Sequence, residues 1–279
     1  MSRVHKDTPI PMNITFKGLG RIGRIGNQLH QIASTIGIAK RNPAARPCLP
    51  TGWKYRSYFS IPDEYFSDEP GFPAENFNTG ADERHRIYLQ DVRLWDNVRD
   101  EIREIFKPSR TAREIIAKTQ FWYTDLPYKT ALHVRRTDAV GIPKLFPLPD
   151  LETYYRPALA LVKDPVVVFS DDIEWCAEQF PITFPDRTFE FFGGIPHPKE
   201  GEPGYETHEA LDWIDLFMMT QANAHIIANS SYSWWGAWLS ENETLIYPSA
   251  WWGPDILAFA DPRLLFLDPR WRVIDVQQG

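Results

Sequence analysis

From Thr130 onward the chain alternates short apolar runs with amphipathic stretches, and this alternation restricts its fold more than any other feature. The runs Thr130–Val134, Val166–Ser170, Thr188–Phe192, Ala224–Ala228 and Thr244–Tyr247 read as strands, short and apolar enough to be buried on both faces. Between them, Leu151–Val162, Ile173–Phe180, His208–Asn223 and Ser231–Ser240 carry apolar residues at helical spacing. Strands separated by helices form a parallel sheet with right-handed crossovers. In open sheets of this kind ligands bind just beyond the carboxyl ends of the strands. The polar residues that follow each apolar run are therefore the first place to look for chemistry.

The first half is less regular. Met12–Phe16 reads as a strand, Lys17–Gln28 as a glycine-rich loop, and Leu29, Ile32, Ala33 and Ile36 mark a helix. Gly18-Leu-Gly-Arg-Ile-Gly23 matches the glycine fingerprint of dinucleotide-binding proteins. That fingerprint requires a carboxylate at the end of a second strand about 20 residues on. Lys40-Arg-Asn-Pro-Ala-Ala-Arg-Pro47 occupies that region and is basic and broken by proline, so a nicotinamide dehydrogenase is disfavoured. Residues 48–84 show little periodicity and read as irregular. Arg86–Gln90 reads as a strand, Trp95–Phe106 and Ala112–Phe121 as amphipathic helices, and Leu126-Pro127 as a linker. The expected division is 1–127 and 128–279, each half Rossmann-like, with the C-terminal tail packing back.

Charge narrows the ligand. A net charge of −7 and a pI near 5.5 exclude a general nucleic-acid surface, so any anion must be held by local arginines. Hydrophobic residues at 43% are enough for a large core. Cys48 and Cys176 stand far apart without metal-ligand spacing, which fits a reducing compartment. No stretch approaches the roughly 18 apolar residues of a membrane span, and the opening MSRVHKDTPIPM lacks a secretory h-region. The expectation is a soluble, cytoplasmic protein, and the Asn-x-Ser/Thr matches at Asn13, Asn229 and Asn242 are read as chance. The 11 tryptophans would suit sugar faces, although such residues are more often core.

Four loops share one property, polar residues directly after an apolar strand or in a glycine loop: Gly23–Gln28, His133–Asp138, Phe169–Asp172 and Asn229–Trp235. Arg135 and Arg136 leave the strand Thr130–Val134, and arginine's planar fork binds phosphate through paired charge-assisted hydrogen bonds. The bland alternative is an ion pair, for instance Arg136 with Asp138. Ser170, Asp171 and Asp172 fit either a capped helix start or a ribose or base site. Ser230 and Ser231 open a helix whose free N–H groups could hold an anion, or they simply cap it.

The segments GRIGNQLHQ (23–31), HVRRTD (133–138), FSDD (169–172) and SSYSWWGAWL (230–239) occur in the order found in α1,2-fucosyltransferases, and the chain resembles that family over roughly 20–255. The resemblance implies a GT-B-like α/β fold, two Rossmann-like domains facing across a cleft, the first on the acceptor side and the second binding the GDP-sugar. It implies inverting transfer of L-fucose from GDP-L-fucose to the 2-hydroxyl of a galactoside, with no metal ion or cofactor.

Carried onto this sequence, Arg135 would bind the pyrophosphate and stabilise the departing GDP. His133, Ser170, Asp171 and Asp172 resemble the guanosine-binding residues. Asn229, Ser230, Ser231 and Ser233 resemble the phosphate-side contacts, and Asn27 would reach the donor from the first domain. Trp234 and Trp235 are read as core before sugar platform. HVRRTDAVG at 133–141 is also close to the core α1,6-fucosyltransferase motif, but Pro143 stands where that family carries a glutamate resembling the base, and Ala139 where it carries a lysine. Asp138 is then the base candidate by proximity, or else the partner of Arg136. His30 stands where many relatives carry an aromatic and has no assigned role.

The alternatives are a fucosyltransferase of other linkage, a transferase of another donor sugar, and a non-catalytic module binding a GDP-sugar or glycan. The expected partners are GDP-fucose and a galactose-terminated glycan, with no nucleic acid and no membrane span. Peripheral membrane contact stays open for a lipid-linked acceptor.

Overall fold

The computed structural model describes residues 12–77, 86–119, 123, 125–192, 212–240, 242–257 and 261–276. The expected loop 194–207 and the start of the expected helix 208–223 lie outside them. Internal packing divides the chain into two compact units, one of residues 12–56 with 61–105 and one of 57–60 with 106–276. The sequence placed the linker at Leu126-Pro127, whereas the last passage between the units falls at Ile105/Phe106.

The first unit holds a parallel three-stranded sheet in the order β2-β1-β3, with β1 at Met12–Thr15, β2 at Ala45–Cys48 and β3 at Phe72–Pro73. Helix α1, Ile25–Lys40, follows β1 and is buried along almost its whole length. The glycine loop before it turns through Gly20 and Gly23, whose φ values of +83° and +74° favour glycine over any other residue. Gln28 donates to the Gly23 carbonyl at 2.8 Å and Gln31 to the Ile22 carbonyl at 3.1 Å, so two helix side chains fix the loop's path. Arg86–Gln90 is a turn rather than the expected strand. Leu89 there takes a φ of +52°, and its carbonyl accepts from Ser34 Oγ at 3.2 Å. The expected helix 95–106 is one 3-10 turn, Asp96–Val98, followed by α2, Arg99–Ile105.

In the second unit α3, Arg110–Thr119, precedes a six-stranded sheet of β4 (Thr130–Val134), β5 (Val166–Ser170), β6 (Phe189–Phe192), β7 (Ala224–Ile226), β8 (Leu245–Pro248) and β9 (Trp271–Ile274). Its order is β6-β5-β4-β7-β8-β9 and every described pairing is parallel. The intervening helices are α4 (Arg156–Leu159, entered through a π-helical turn Leu151–Tyr155), α5 (Ile173–Thr183), α6 (Asp212–Thr220) and α7 (Ser231–Trp238). All five residues of β4 are buried, as a central parallel strand requires. The core on one face joins Leu132, Val134, Tyr154, Tyr155, Val168, Phe180 and Ile246. Tyr154 satisfies its hydroxyl on the Ile227 carbonyl at 2.6 Å. Trp234 and Trp235 are fully buried, and Trp234 stacks with Trp238 and Trp271, so both are core.

Residues 57–60 belong to this unit by packing although they lie far upstream in sequence. Tyr58 stacks on Trp213 with ring centroids 4.3 Å apart, and Phe59 packs against Phe106 and Phe217. Ser109 and Ser60 tie the segment down through backbone bonds to Tyr58 and Lys107. No described helix is long and apolar enough to cross a membrane.

Candidate functional site

The strand order places the site. From β4 the chain winds outward through β5 and β6, then returns to lay β7 on the other side of β4 and winds the opposite way. The carboxyl ends of β4 and β7 thus flank a topological switch point, where parallel sheets open a crevice for ligands. Residues 133–138 and 229–231 stand at those ends.

His133, the second-to-last residue of β4, is buried; its carbonyl accepts from Tyr155 Oη at 3.1 Å and its ring lies 5.6 Å from that of Tyr232. Arg135 follows. Its Nε and Nη2 donate to the two oxygens of Asp138 at 3.0 and 2.9 Å, its Nη1 leans toward the Asn229 carbonyl at 3.4 Å, and its guanidinium lies 4.3 Å from the Phe146 ring centroid. The Asp138 partner is therefore Arg135 and not Arg136. Arg136 turns the other way, pairing with Asp172 at 3.0 Å and lying flat over Trp175 at 3.6 Å. The two arginines diverge because neighbouring residues leaving a strand face opposite sides.

The acids after β5 serve this loop. Asp171 accepts from the Arg136 backbone N–H at 2.8 Å and from Thr137 Oγ1 at 2.5 Å, while the Ser170 hydroxyl accepts from the Asp172 backbone N–H at 2.9 Å. Asp172 stands at the N-cap of α5 without capping it, since its carboxylate is turned to Arg136. Ser170, Asp171 and Asp172 thus clip the β4 and β5 loops together. The in-register pairing of His133 with Phe169 and Val134 with Ser170 brings those loops side by side.

After β7, Asn229 is buried and donates from Nδ2 to the Pro147 carbonyl at 2.6 Å; its buried Oδ1 has no hydrogen-bond partner among the described residues. Ser230 is the N-cap residue of α7 but makes no side-chain cap, and Ser231 is half-buried beside it. Ser233 differs: it is fully buried, and its hydroxyl lies 3.3 Å from the Ser230 carbonyl within its own helix. It packs inside α7, whereas Ser230 and Ser231 stand at the open end of the helix.

Asn27 lies in the first unit on the first turn of α1, where its Oδ1 accepts from Gln90 Nε2 at 2.6 Å. His30, next on the same helix, is fully buried, and burial lowers its pKa to about 3, so it is a neutral core side chain. The strand beside β1 runs into Leu49-Pro50 and offers no ribose-binding carboxylate, so the dinucleotide fingerprint has no second half.

Sequence reasoning missed Phe146, Trp175, Tyr232 and Asp215. Phe146 carries no periodic signal, whereas Trp175, three residues past Asp172 on one helix face, does. Helix α6 runs back against the strands, so Asp212 and Asp215 at its start lie at the crevice end of the sheet. Tyr232 Oη donates to the Asp212 carbonyl. Burial, with the Asp212 charge adding to it, raises Asp215 to about 7.

Known proteins resemble this chain along most of its length. A family model described as Glycosyl transferase family 11 matches residues 34–252. The O-antigen biosynthesis glycosyltransferase WbnK of Escherichia coli is 28% identical over 59% of this chain and 53% of its own length. An alpha-1,2-colitosyltransferase of Escherichia coli is 29% identical over 68% of this chain and 66% of its own. The chain thus spans about half to just under two thirds of the length of these two relatives. Human galactoside alpha-(1,2)-fucosyltransferase 1 is 25% identical over 89% of this chain and 72% of that protein. Among solved structures, fucosyltransferase NodZ from Bradyrhizobium aligns with 14% identity and a TM-score of 0.45 over 81% of this chain and 92% of its own.

Proposed function

The chain belongs to glycosyl transferase family 11, and from that premise we propose that it transfers L-fucose from GDP-L-fucose to the 2-hydroxyl of a galactoside, inverting the anomeric centre without a metal ion. The observation that carries the reading is Arg135, nearly buried at the switch point with part of its fork turned away from every described protein acceptor. A diphosphate leaving group develops charge as the glycosidic bond breaks, and a fixed guanidinium stabilises that charge without reorganising. The N-terminus of α7, with Ser230 and Ser231, adds backbone N–H donors on the β7 side of the same crevice. Together they supply the positive character that a divalent cation supplies in other transferases.

His133 and the loop clipped by Asp171 and Asp172 form the remaining wall, suited to the nucleoside. The cytoplasm is the compartment assigned to the reaction, with a lipid-linked or free glycan as acceptor.

A second reading keeps the site and changes the donor sugar, because a relative that is 29% identical over 68% of this chain is a colitosyltransferase. One experiment separates the readings. Purified protein is incubated with GDP-fucose in EDTA, with and without lactose, and GDP release is followed. Lactose-dependent release that vanishes in Arg135→Ala supports the proposal. Release only when metal is added defeats the metal-free mechanism, and no binding of GDP-fucose at all defeats the donor assignment. Binding without turnover on any galactoside leaves a GDP-sugar module instead of an enzyme.

A further inference from the structure

We propose that Asp138 is a positioning residue that divides the Arg135 guanidinium into a protein-facing edge and a ligand-facing edge, the second being the fork that receives the donor diphosphate. The inference rests on the reading that Arg135 holds that diphosphate. Arginine has five N–H donors in one plane, arranged so that Nε with Nη2, and Nη1 with Nη2, each present a parallel pair. Asp138 takes the first pair at 3.0 and 2.9 Å. Phe146 covers one face at 4.3 Å, and the Asn229 carbonyl draws one Nη1 hydrogen at 3.4 Å. What remains is one hydrogen on Nη1 and one on Nη2, the terminal pair, with no acceptor among the described residues. Two phosphate oxygens match that pair as a carboxylate matches the other.

The exposures assign the duties. The Arg135 side chain is 13% exposed and that of Asp138 is 43%. The cation is held in place while its carboxylate partner faces water, the arrangement expected when the anion is there to orient the cation. Asp138 lies on the edge next to the free fork, sharing Nη2 with it, and its negative charge opposes phosphate binding. A favourable effect of Asp138 on the diphosphate is ascribed to fixing the direction of Arg135, and this separates three roles. A general base would influence turnover and not GDP affinity. A competitor for the fork would weaken GDP binding, so its removal would tighten it. A positioning residue strengthens GDP binding, so its removal weakens it.

The test compares GDP with guanosine by titration calorimetry on the wild-type chain, Arg135→Ala, Asp138→Ala, Asp138→Asn and Asp138→Glu. The ratio of the two affinities isolates what the diphosphate contributes, and a general disturbance of the fold would change guanosine as well. The expected result is a ratio that falls about tenfold or more in Asp138→Ala, less in Asp138→Asn, and partly recovers in Asp138→Glu, with guanosine affinity unchanged. A ratio that rises, or that stays at the wild-type value in both Asp138→Ala and Asp138→Asn, overturns the proposal. Should Asp138→Ala not fold, the Asn and Glu variants decide the matter alone. A ratio unchanged in Arg135→Ala overturns the reading of Arg135 itself, a separate outcome from failure of the Asp138 role.

Discussion

Gly253 lies outside the site, yet its replacement by alanine should weaken GDP binding. A Cβ built there would lie 2.1 Å from the Lys144 carbonyl oxygen and 2.5 Å from its carbon, where real Cβ contacts do not fall below 3.0 Å. Both atoms are backbone, so relief requires the chain at Lys144 and Leu145 to retreat by about 1 Å, against the Gly253 N–H to Leu145 carbonyl bond at 2.9 Å. The next two residues are Phe146, over the Arg135 guanidinium, and Pro147, whose carbonyl anchors Asn229. A displacement of that size near a binding group can reduce function by about a hundredfold, and overpacking costs about 1–3 kcal/mol of stability. Calorimetric melting and GDP titration measure the two effects on one sample. Gly141→Ala is the control, since a Cβ there meets nothing within 4 Å. A destabilised Gly253→Ala protein that binds GDP as tightly as the wild type would refute the coupling of this loop to the arginine.

Two further outcomes follow from the electrostatics. Asp215, raised to about 7 from an ordinary value of 3.8, binds a proton in the folded protein that the unfolded chain releases, so its contribution to stability is present at low pH and lost as pH rises through about 7. Urea melts across about pH 4 to 8 should therefore show Asp215→Asn gaining on the wild type as pH rises, and a constant difference would contradict the shift. His30 and His225, lowered by burial to about 3 and about 4, act oppositely: their contribution is present above 6.5 and is lost as pH falls toward those values. Trp175→Ala should destabilise by about 1–2 kcal/mol through the lost cation–π contact and packing, and should also weaken nucleoside binding because Arg136 holds the clipped loops; unchanged guanosine affinity would separate Trp175 from the site.

The sheet of the second unit was legible because its strands are continuous apolar runs, and a buried parallel strand admits little else. β9 was not, since Trp271-Arg-Val-Ile274 is short, half exposed and preceded by a turn. The loops bearing the site were legible as loops, but their internal pairing was not. Adjacency suggested Arg136 with Asp138, whereas geometry pairs Arg135 with Asp138 and sends Arg136 to an acid 36 positions away. Nothing in a linear reading says that the β4 and β5 loops touch; that follows from strand order. The orientation of Ser233 was not legible either, because helical rotation turns it inward while Ser230 and Ser231 stay at the open end.

The small insert of residues 57–60 has a consequence for how this protein can be divided. The chain passes between its units three times, after Arg56, after Ser60 and after Ile105. A gene fragment beginning at Phe106 would encode the whole six-stranded sheet yet lack the aromatic cover over Trp213 and Phe217. Such a fragment would expose apolar surface at α6 and be a poor autonomous folder. The second unit is therefore not a transplantable module: grafts, circular permutants and split reporters built on it must carry the Ser57–Ser60 tetrapeptide along.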